Sequence, residues 1–460
     1  MKKHTVDMTR GNIFRLIIAF ALPIMVSGIL QTLYNAADMI VVGKFAGKES
    51  LAAVGSTSSA INLMLNIFVG ISSATNVIVA RKFGAGNKSG VSKTIHTAMA
   101  ACIGGGVLIT IAGILFSKQI LIWMDSPSDV IELSALYMRI YFLGISATLL
   151  YNFGSAILRA VGDSKRPTYF LMLSGVINVA LNLVFVIVFH MGVAGVAVAT
   201  VISQCVAATL VLRCLIKTDE CFKLNIKKIA LCAAEFKEML MLGIPAGIQG
   251  SIFSISNILI QSSINSVGSD AMAGSSAAIS IEGVVYIAMN TFFHATLTFI
   301  SQNYGAHNFK RMRKGFWTGF FITFVVGATI GALVVCFDNI LVGFYTDIPH
   351  VIDIACERLR YICLPYFLCG MMEVGTGALR GIGVATRAMI VCVIGVCGVR
   401  VFTVMTNAPY NEVRDLIPLY YSYPISWMIT TTLLTVIFFL ILRKREKEWL
   451  QHIEDKAVKE

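Results

Sequence analysis

The chain has 460 residues, of which 57% are hydrophobic and only 13% are charged. Soluble domains carry about 25% charged residues, so this composition excludes an ordinary soluble globular protein. Lys and Arg outnumber Asp and Glu by 37 to 25. The 11 cysteines are scattered through apolar runs without zinc-ligand spacing, which indicates helix packing and no zinc site.

Long apolar runs follow one another along the whole chain, separated by short polar stretches. A helix needs about 20 residues to cross the hydrocarbon core, and a helix satisfies its own backbone hydrogen bonds in lipid. These runs predict an all-α polytopic membrane protein with twelve transmembrane helices. In chain order, the predicted spans lie near residues 15–42, 51–80, 94–116, 130–156, 168–190, 193–215, 239–263, 271–301, 316–337, 351–378, 388–406 and 421–442.

Basic residues are divided unequally between the two sides of this predicted bundle. The termini and even-numbered loops hold 29 Lys and Arg residues, the opposite loops hold 4, and another 4 lie at or inside span ends. Because basic loops stay in the cytoplasm, the bias predicts a multi-pass protein of the cytoplasmic (cell) membrane with both termini cytoplasmic. It also explains the net charge of +12, so no nucleic-acid partner is expected.

The two halves of the sequence repeat each other at an offset of 221 residues. Under this offset FGAGN at 83–87 aligns with YGAHN at 304–308, and GSAILRAVGDSKR at 154–166 aligns with GTGALRGIGVATR at 375–387. Near the start of each half the offset is 222, which pairs Pro23 with Pro245. The repeat predicts two six-helix lobes, 1–216 and 239–445, with a cytoplasmic linker at 217–238 and a cytoplasmic tail at 446–460. An even number of spans per lobe makes these parallel repeats, a plan used by alternating-access transporters.

Sequence patterns for enzymatic chemistry are missing. The stretch GAGNKS at 84–89 lacks the spacing of a phosphate-binding loop and follows a membrane helix. The sequence contains no HExxH motif and no Ser/His/Asp cluster near one membrane face. We therefore predict a secondary transporter that uses no cofactor; a membrane-embedded enzyme is the alternative from another class.

Several stretches carry a family resemblance. They are ALPIMVSGILQTLYNAADMIVVGKFAGKESLAAVG, the paired loops ILRAVGDSKRP and ALRGIGVATR, and the segments INVALNLVF and GVAVATVISQ. Together they resemble the multidrug and toxic compound extrusion (MATE) family across nearly the whole chain. The resemblance implies two six-helix lobes around a central cavity, and export of bulky, often cationic organic compounds in exchange for H⁺ or Na⁺. A lipid-linked oligosaccharide flippase of the same superfamily is the nearest alternative, and it predicts a basic cavity.

Asp38 is an acidic residue inside the first predicted span. An ionisable residue in a span is a functional hypothesis by default, although an interfacial acid that snorkels to the helix end is the alternative. The resemblance implies a cation site made by Asp38, Asn178, Asn182 and Thr200, and no metal other than Na⁺ is expected there. Many relatives have a second carboxylate at the position of Asn182, so the coupling ion, H⁺ or Na⁺, stays open.

Five further residues are predicted to contact substrate: Gln31, Tyr34, Asn152, Glu282 and Glu373. The resemblance places Gln31 and Tyr34 at the cavity, and Glu373 is the repeat mate of Asn152. Glu282 either lines the cavity or pairs with a neighbouring helix. The expected partners are small organic, mostly cationic, substrates and the membrane lipid, and we expect a monomer.

Pro23 removes one backbone hydrogen bond from the first span and predicts a hinge in that helix. Apolar surroundings disfavour the charged form of Asp38, so a proton or Na⁺ can neutralise it reversibly. Neutralisation would then bias the first span between two shapes and drive export.

Overall fold

A computed structural model of the chain describes residues 5–124 and 130–457, and regular structure in these ranges is helical. The first half forms α1 (Ile13–Phe45), α2 (Lys48–Gly84), α3 (Lys88–Trp123), α4 (Ile131–Leu143), α5 (Ile145–Ala160), α6 (Lys165–Leu183) and α7 (Gly192–Lys217). The second half forms α8 (Ala233–Asn265), α9 (Ser269–Gly305), α10 (Phe309–Cys336), α11 (Asp338–Gly343), α12 (Pro349–Cys363), α13 (Tyr366–Gly381), α14 (Ala385–Cys392), α15 (Val399–Asn407) and α16 (Ile417–Ala457). Those parts of the predicted lobes and tail that fall on 1–4, 125–129 and 458–460 lie outside the described residues.

The predicted twelve transmembrane helices are confirmed within these ranges. Ten helical segments are long and apolar enough to cross a membrane alone, and two bent pairs, α4–α5 and α12–α13, bring the number to twelve when each pair is counted as one span. The pairs bend by 49° and 44°. The fifth and eleventh spans are each interrupted by a π-helical turn, at Val184–Val188 and Val393–Gly398.

Both bends have a cause that can be read from the residues at the break. Gly144 separates α4 from α5, and a Cβ at this position would lie 2.5 Å from the side chain of Val201 on α7. The bend therefore packs against α7 at a distance that only glycine permits. In the second pair the break falls at Pro365, which cannot donate a helical hydrogen bond.

Contacts divide the chain into two compact units whose boundaries differ from the predicted lobes. The first unit contains Leu22–Ile248 with the residues up to Asp7; the second contains Met8–Ala21 with the residues from Gln249 onward. The predicted lobe boundaries stay a prediction. In the structure, the first turns of α1 pack with the second unit and the first turns of α8 pack with the first unit.

Hydrogen bonds of Met8 illustrate this exchange. Its backbone N–H donates to Gln302 Oε1 at 2.9 Å, and its carbonyl accepts from Asn303 Nδ2 at 3.2 Å and from Arg311 Nε at 3.1 Å. A chain segment with these partners belongs to the second unit although it lies at the start of the sequence.

The predicted linker at 217–238 is an ordered part of the first unit. Phe222 and Leu224 are buried, and the N–H of Leu224 donates to the carbonyl of Leu215 at 2.9 Å. This segment is therefore held by apolar packing and backbone pairing.

Glycines allow α2 and α8 to cross closely within the first unit. A Cβ on Gly70 of α2 would lie 2.3 Å from the carbonyl oxygen of Gly243 and 2.6 Å from the nitrogen of Gly247 on α8. Small residues that bring two backbones together are a common way of packing helices in lipid, where hydrophobic association is weak.

We expect Gly70→Ala to destabilise the protein by about 1–3 kcal/mol, because the new methyl group would collide with backbone atoms that cannot rotate away. Thermal unfolding of the purified protein in detergent measures the effect. Gly104→Ala is the matched control, since a Cβ on Gly104 meets no atom within 4 Å and removes a glycine from a helix interior, a change worth about 0.5–1 kcal/mol of stability. Equal unfolding temperatures for the two variants would contradict this account of the crossing.

Candidate functional site

Asp38 lies on α1 opposite α6, where Asn178 and Asn182 project from one helix face because they are four residues apart. The Nδ2 group of Asn182 donates a hydrogen bond to Asp38 Oδ1. Both asparagines are buried, and Asp38 is half-buried. The acid that the sequence predicted therefore lies in a polar cluster between two helices of the first unit, where its carboxylate has a hydrogen-bond partner.

Asn178 is the second amide that faces the carboxylate. With its amide oriented to donate, Nδ2 lies 3.0 Å from Asp38 Oδ1 and 2.8 Å from Asp38 Oδ2. This orientation is physically required, since the amide oxygen would otherwise face a carboxylate. The other end of the amide lies 3.4 Å from Thr200 Oγ1, so the structure brings all four predicted cation-site residues together.

One buried oxygen in the cluster lacks a partner. Asn182 Oδ1 accepts no hydrogen bond from any residue that the structure describes. A buried acceptor left in this way costs about 1–3 kcal/mol. Together with the Asp38 carboxylate, it forms an oxygen-rich position of a kind that hard cations favour.

Hydrogen bonds between α6 and α7 fix the position of Thr200. Ser174 Oγ on α6 donates to the carbonyl of Ser203 at 2.6 Å, and Ser203 Oγ donates to the carbonyl of Thr200 at 2.8 Å. The π-helical turn at Val184–Val188 begins two residues after Asn182. Such turns occur frequently at functional sites, and no sequence pattern indicated this one.

The predicted substrate residues of the first unit lie on α1 and α5. Gln31 is exposed, whereas Tyr34 and Asn152 are half-buried. The ring of Tyr34 packs against Gly175 of α6, where an added Cβ would lie 2.0 Å from the ring. Tyr34 therefore helps to hold α1 against α6 one turn before Asp38, and the substrate role of all three residues stays a prediction.

Pro23 lies inside α1, as predicted. Its carbonyl oxygen accepts a hydrogen bond from Thr168 Oγ1 of α6 at 3.1 Å. The hinge role of Pro23 stays a prediction, and this contact shows that the same two helices which carry the Asp38 cluster also meet at the proline.

Glu282 of α9 forms a buried ion pair with Arg358 of α12. Arg358 Nε lies 2.7 Å from Glu282 Oε1, and Nη2 lies 3.1 Å from Oε2. Of the two roles considered for Glu282, the structure shows pairing between helices. The predicted substrate role of Glu282 stays a prediction, and in the structure both of its carboxylate oxygens accept hydrogen bonds from Arg358.

Glu373 of α13 has different surroundings in the second unit. It is buried, makes a side-chain hydrogen bond with Tyr286, and lies in electrostatic range of Arg380. Arg380 Nη2 donates to Gln249 Oε1 at 2.8 Å, so this arginine is not paired directly with Glu373. The predicted substrate role of Glu373 stays a prediction, with Tyr286 as a neighbour that the sequence did not reveal.

Arg400 is a buried cation that the sequence analysis placed only at a span end. Its guanidinium carbon lies 3.9 Å from the ring centre of Tyr423 and 5.7 Å from that of Trp427. Its Nε has no hydrogen-bond partner among the residues in 5–124 and 130–457. An arginine inside an apolar run is the one sequence feature that pointed to it.

The chain is similar to known proteins in sequence and in fold. The MatE family model matches the chain twice, at residues 23–184 and 245–406. The chain belongs to the MATE family. The two matches begin at Pro23 and Pro245, so the MATE model finds the same internal repeat that the sequence showed, and both the Asp38 position and the α6 asparagines lie inside the first match.

Relatives and solved structures agree with the MATE assignment. The "Probable multidrug resistance protein YoeA" of Bacillus subtilis (strain 168) is 25% identical over 96% of this chain and 97% of its own length. A structure described as the outward-facing conformation of a multidrug resistance MATE family transporter of the MOP superfamily superposes with a TM-score of 0.89 at 23% identity, covering 97% of this chain and 99% of the other. A further structure, from Pyrococcus furiosus, has a TM-score of 0.88 at 22% identity over 97% and 98% of the two chains, and is described as "Reverse polarity of binding pocket suggests different function of a MOP superfamily transporter". The chain is a multi-pass MATE transporter with the fold of these proteins.

Proposed function

We propose that this MATE protein is a secondary active exporter, which expels bulky organic compounds in exchange for H⁺ or Na⁺ by alternating access. The observation that carries the proposal is the cluster of Asp38, Asn178 and Asn182 between α1 and α6. It combines one titratable charge with two amides that can turn either a donor or an acceptor towards it.

The cluster suits reversible neutralisation. In its ionised form Asp38 accepts hydrogen bonds from both amides, which stabilise the negative charge. When a proton or Na⁺ occupies the site, the negative charge of Asp38 is cancelled. The hydrogen bonds that the two amides donate to the carboxylate then become weaker. The bound ion then favours a second packing arrangement of α1 against α6. It shifts the equilibrium between the two arrangements only because it binds them with different affinity. Pro23 gives α1 a place to bend.

Either ion can use the unpartnered oxygen of Asn182. Na⁺ would take it as a ligand beside the Asp38 carboxylate, and a protonated Asp38 would donate a hydrogen bond to it. One monovalent cation crossing 100 mV supplies about 2.3 kcal/mol. Since about 1.4 kcal/mol corresponds to a factor of ten, one ion supports a gradient of roughly 50-fold for an uncharged substrate.

Fluorescent dye accumulation in everted membrane vesicles, whose lumen corresponds to the cell exterior, tests this function. A gradient with H⁺ more concentrated in the lumen and a gradient with Na⁺ more concentrated in the lumen are imposed separately, without ATP. We expect one of the two to drive dye transport, with the basic loops and both termini on the cytoplasmic side. Transport that requires ATP and responds to neither gradient would refute secondary export.

Asn182→Asp probes the ion preference directly. It places a second carboxylate beside Asp38, and two carboxylates at close range do not readily ionise together. We expect an altered pH optimum or Na⁺ dependence of efflux, with the range of transported dyes unchanged. The control is Asn265→Asp, which adds the same charge at the exposed end of α8. An unchanged ion dependence for Asn182→Asp would remove this residue from the site.

Bulky organic cations are the substrates that we propose first. Glu373 is a buried acid that lies in electrostatic range of Arg380, and in this proposal its carboxylate attracts an organic cation.

The second candidate is a flippase for a lipid-linked oligosaccharide, and Arg400 is the observation that favours it. A buried guanidinium with an unpartnered Nε is suited to a phosphate group. Transport of a fluorescent lipid-linked oligosaccharide, compared with dye transport in the same vesicles, separates the two functions. If the flippase function is correct, Arg400→Gln should abolish transport of the lipid-linked oligosaccharide and leave dye transport unchanged.

A further inference from the structure

A basic pocket of about 570 Å³ lies where α1 and α10 begin, within the second unit. Its charged lining residues are Lys310, Arg311 and Lys314, and none of its lining residues is acidic. The export mechanism makes no use of this cavity.

The three cations differ in how they are held. Arg311 Nε donates to the carbonyl of Met8 at 3.1 Å, and Nη2 donates to the carbonyl of Arg10 at 2.9 Å, which ties the start of the chain to α10. Lys310 and Lys314 are exposed, and neither forms an ion pair with any residue in the described part of the chain. Two ammonium groups are therefore available on one wall of the pocket.

The repeat provides an internal comparison for this cluster. In the first unit, Asn87 caps α3 by accepting a hydrogen bond from Gly90 N at 2.8 Å, just as Asn308 caps α10 by accepting one from Arg311 N at 3.2 Å. Under the offset of 221 residues, Ser89 and Gly90 occupy the positions of Lys310 and Arg311. The capped turn therefore does not require basic residues at the positions of Lys310 and Arg311, whereas Lys314 has a basic counterpart in Lys93.

In the first unit, two cations at the end of α2 are paired with acids of α8, and their counterparts under the offset of 221 residues are the uncharged Gln302 and Asn303. Lys82 lies 3.3 Å from Glu235, and Arg81 lies 3.4 Å from Glu238, both acids being in the first turns of α8. The corresponding turns of α1 contribute Ile13 and Phe14 to the pocket of the second unit. The second unit thus has an apolar wall where the first has carboxylates.

We propose that this pocket binds the headgroup of an anionic phospholipid. Basic pockets beside transmembrane helices on the cytoplasmic face are suited to such headgroups, and the ammonium groups of Lys310 and Lys314 would make charge-assisted hydrogen bonds to the phosphate. Phe14 is 49% exposed and lies beside the cations at the start of a span, where a lipid acyl chain would cover it. This pairing of charge with an exposed aromatic ring fits an amphiphile better than a soluble anion.

The proposal gives lipid a defined role. The pocket is built from the exchanged segment Met8–Ala21 on one wall and α10 on the other, both in the second unit. A headgroup between them bridges the two walls and stabilises the docking of that segment. Anionic lipid should therefore raise the unfolding temperature of the protein.

Native mass spectrometry of the full-length protein in detergent tests the site. Phosphatidylglycerol is titrated against phosphatidylcholine with the same acyl chains, and bound copies are counted. We expect Lys310→Gln with Lys314→Gln to weaken phosphatidylglycerol binding by about 30-fold. Each lysine near the membrane surface contributes about 1 kcal/mol to binding an anionic lipid, and about 1.4 kcal/mol corresponds to a factor of ten in affinity. Lys88→Gln with Lys93→Gln is the matched control in the repeat-related turn, and it should bind like the wild type.

Each result bears on the proposal. Tight phosphatidylglycerol binding that is lost only in the Lys310/Lys314 variant, with the lipid-free unfolding temperature unchanged, supports it. No preference for phosphatidylglycerol, or equal loss in both double variants, overturns it. Displacement of the lipid by inorganic phosphate or glycerol phosphate alone would also overturn it, because the pocket would then be a site for a soluble anion.

Discussion

Asp38→Asn is expected to abolish ion-driven export while leaving substrate binding in place. The substitution preserves size and hydrogen bonding but removes the charge, so it fixes the site in its neutralised form. For an uncharged substrate, the roughly 50-fold gradient that one coupled ion supports at about 100 mV should disappear. Binding should lose its dependence on pH or Na⁺ because the ion no longer distinguishes two states. Vesicle efflux and substrate affinity, each measured across pH with and without Na⁺, give both quantities.

Asp270→Asn is the control for this experiment. It removes an exposed carboxylate from the first turn of α9 and should leave efflux nearly unchanged. If Asp38 only snorkelled towards the membrane surface, its loss would also be harmless, because a neutral amide is cheaper to hold near lipid. Gradient-driven efflux near the wild-type rate in Asp38→Asn would therefore reject the coupling role.

Arg358→Leu is expected to destabilise the second unit by about 3–5 kcal/mol, because it leaves the Glu282 carboxylate buried without its cation. The double variant Glu282→Leu with Arg358→Leu removes both charges and should recover most of this loss. Thermal unfolding in detergent compares the three proteins. Dye transport by the double variant, once folded, shows whether the pair is needed for function.

An exposed ion pair serves as the control for the buried one. Lys223 and Asp219 lie 3.1 Å apart with side chains that are 52% and 94% exposed, so Lys223→Gln should change the unfolding temperature little. A double variant as unstable as Arg358→Leu would show that packing around Tyr420 and Tyr423, which face the guanidinium at 5.6 and 5.9 Å, matters more than the charges.

Span positions could be predicted from sequence because the apolar length needed to cross lipid is fixed. Pairing between distant spans could not, since it depends on helix rotation that no local pattern encodes. Arg358 reaches Glu282 across 76 residues, and an arginine within an apolar run is equally typical of a span end. For the same reason, the sequence did not show that Arg400 is a buried cation and not a residue at a span end.

The Asp38 cluster was predicted only in part from physical chemistry. An acid in a span, and two asparagines on one face of another span, are local signals. Their mutual contact was implied by the MATE resemblance, and the hydrogen bonds confirm that Asn182 and Asp38 meet. The unpartnered oxygen of Asn182 and the π-helical turn after it depend on side-chain and backbone geometry that the sequence does not show.

The exchanged segment at the start of α1 has a consequence for biosynthesis. The backbone of Met8 bonds to Gln302, which lies 294 residues later in the chain. At a translation rate of about 5–20 residues per second, the segment emerges from the ribosome roughly 15–60 s before its partner exists. During this interval the nascent first half lacks the docking site for its own N-terminus. It also cannot complete its unit until residues 233–248 have been made. A ribosome that stops at the sequence midpoint therefore releases a fragment in which Met8–Ala21 has no second unit to pack against and the first unit lacks the start of α8.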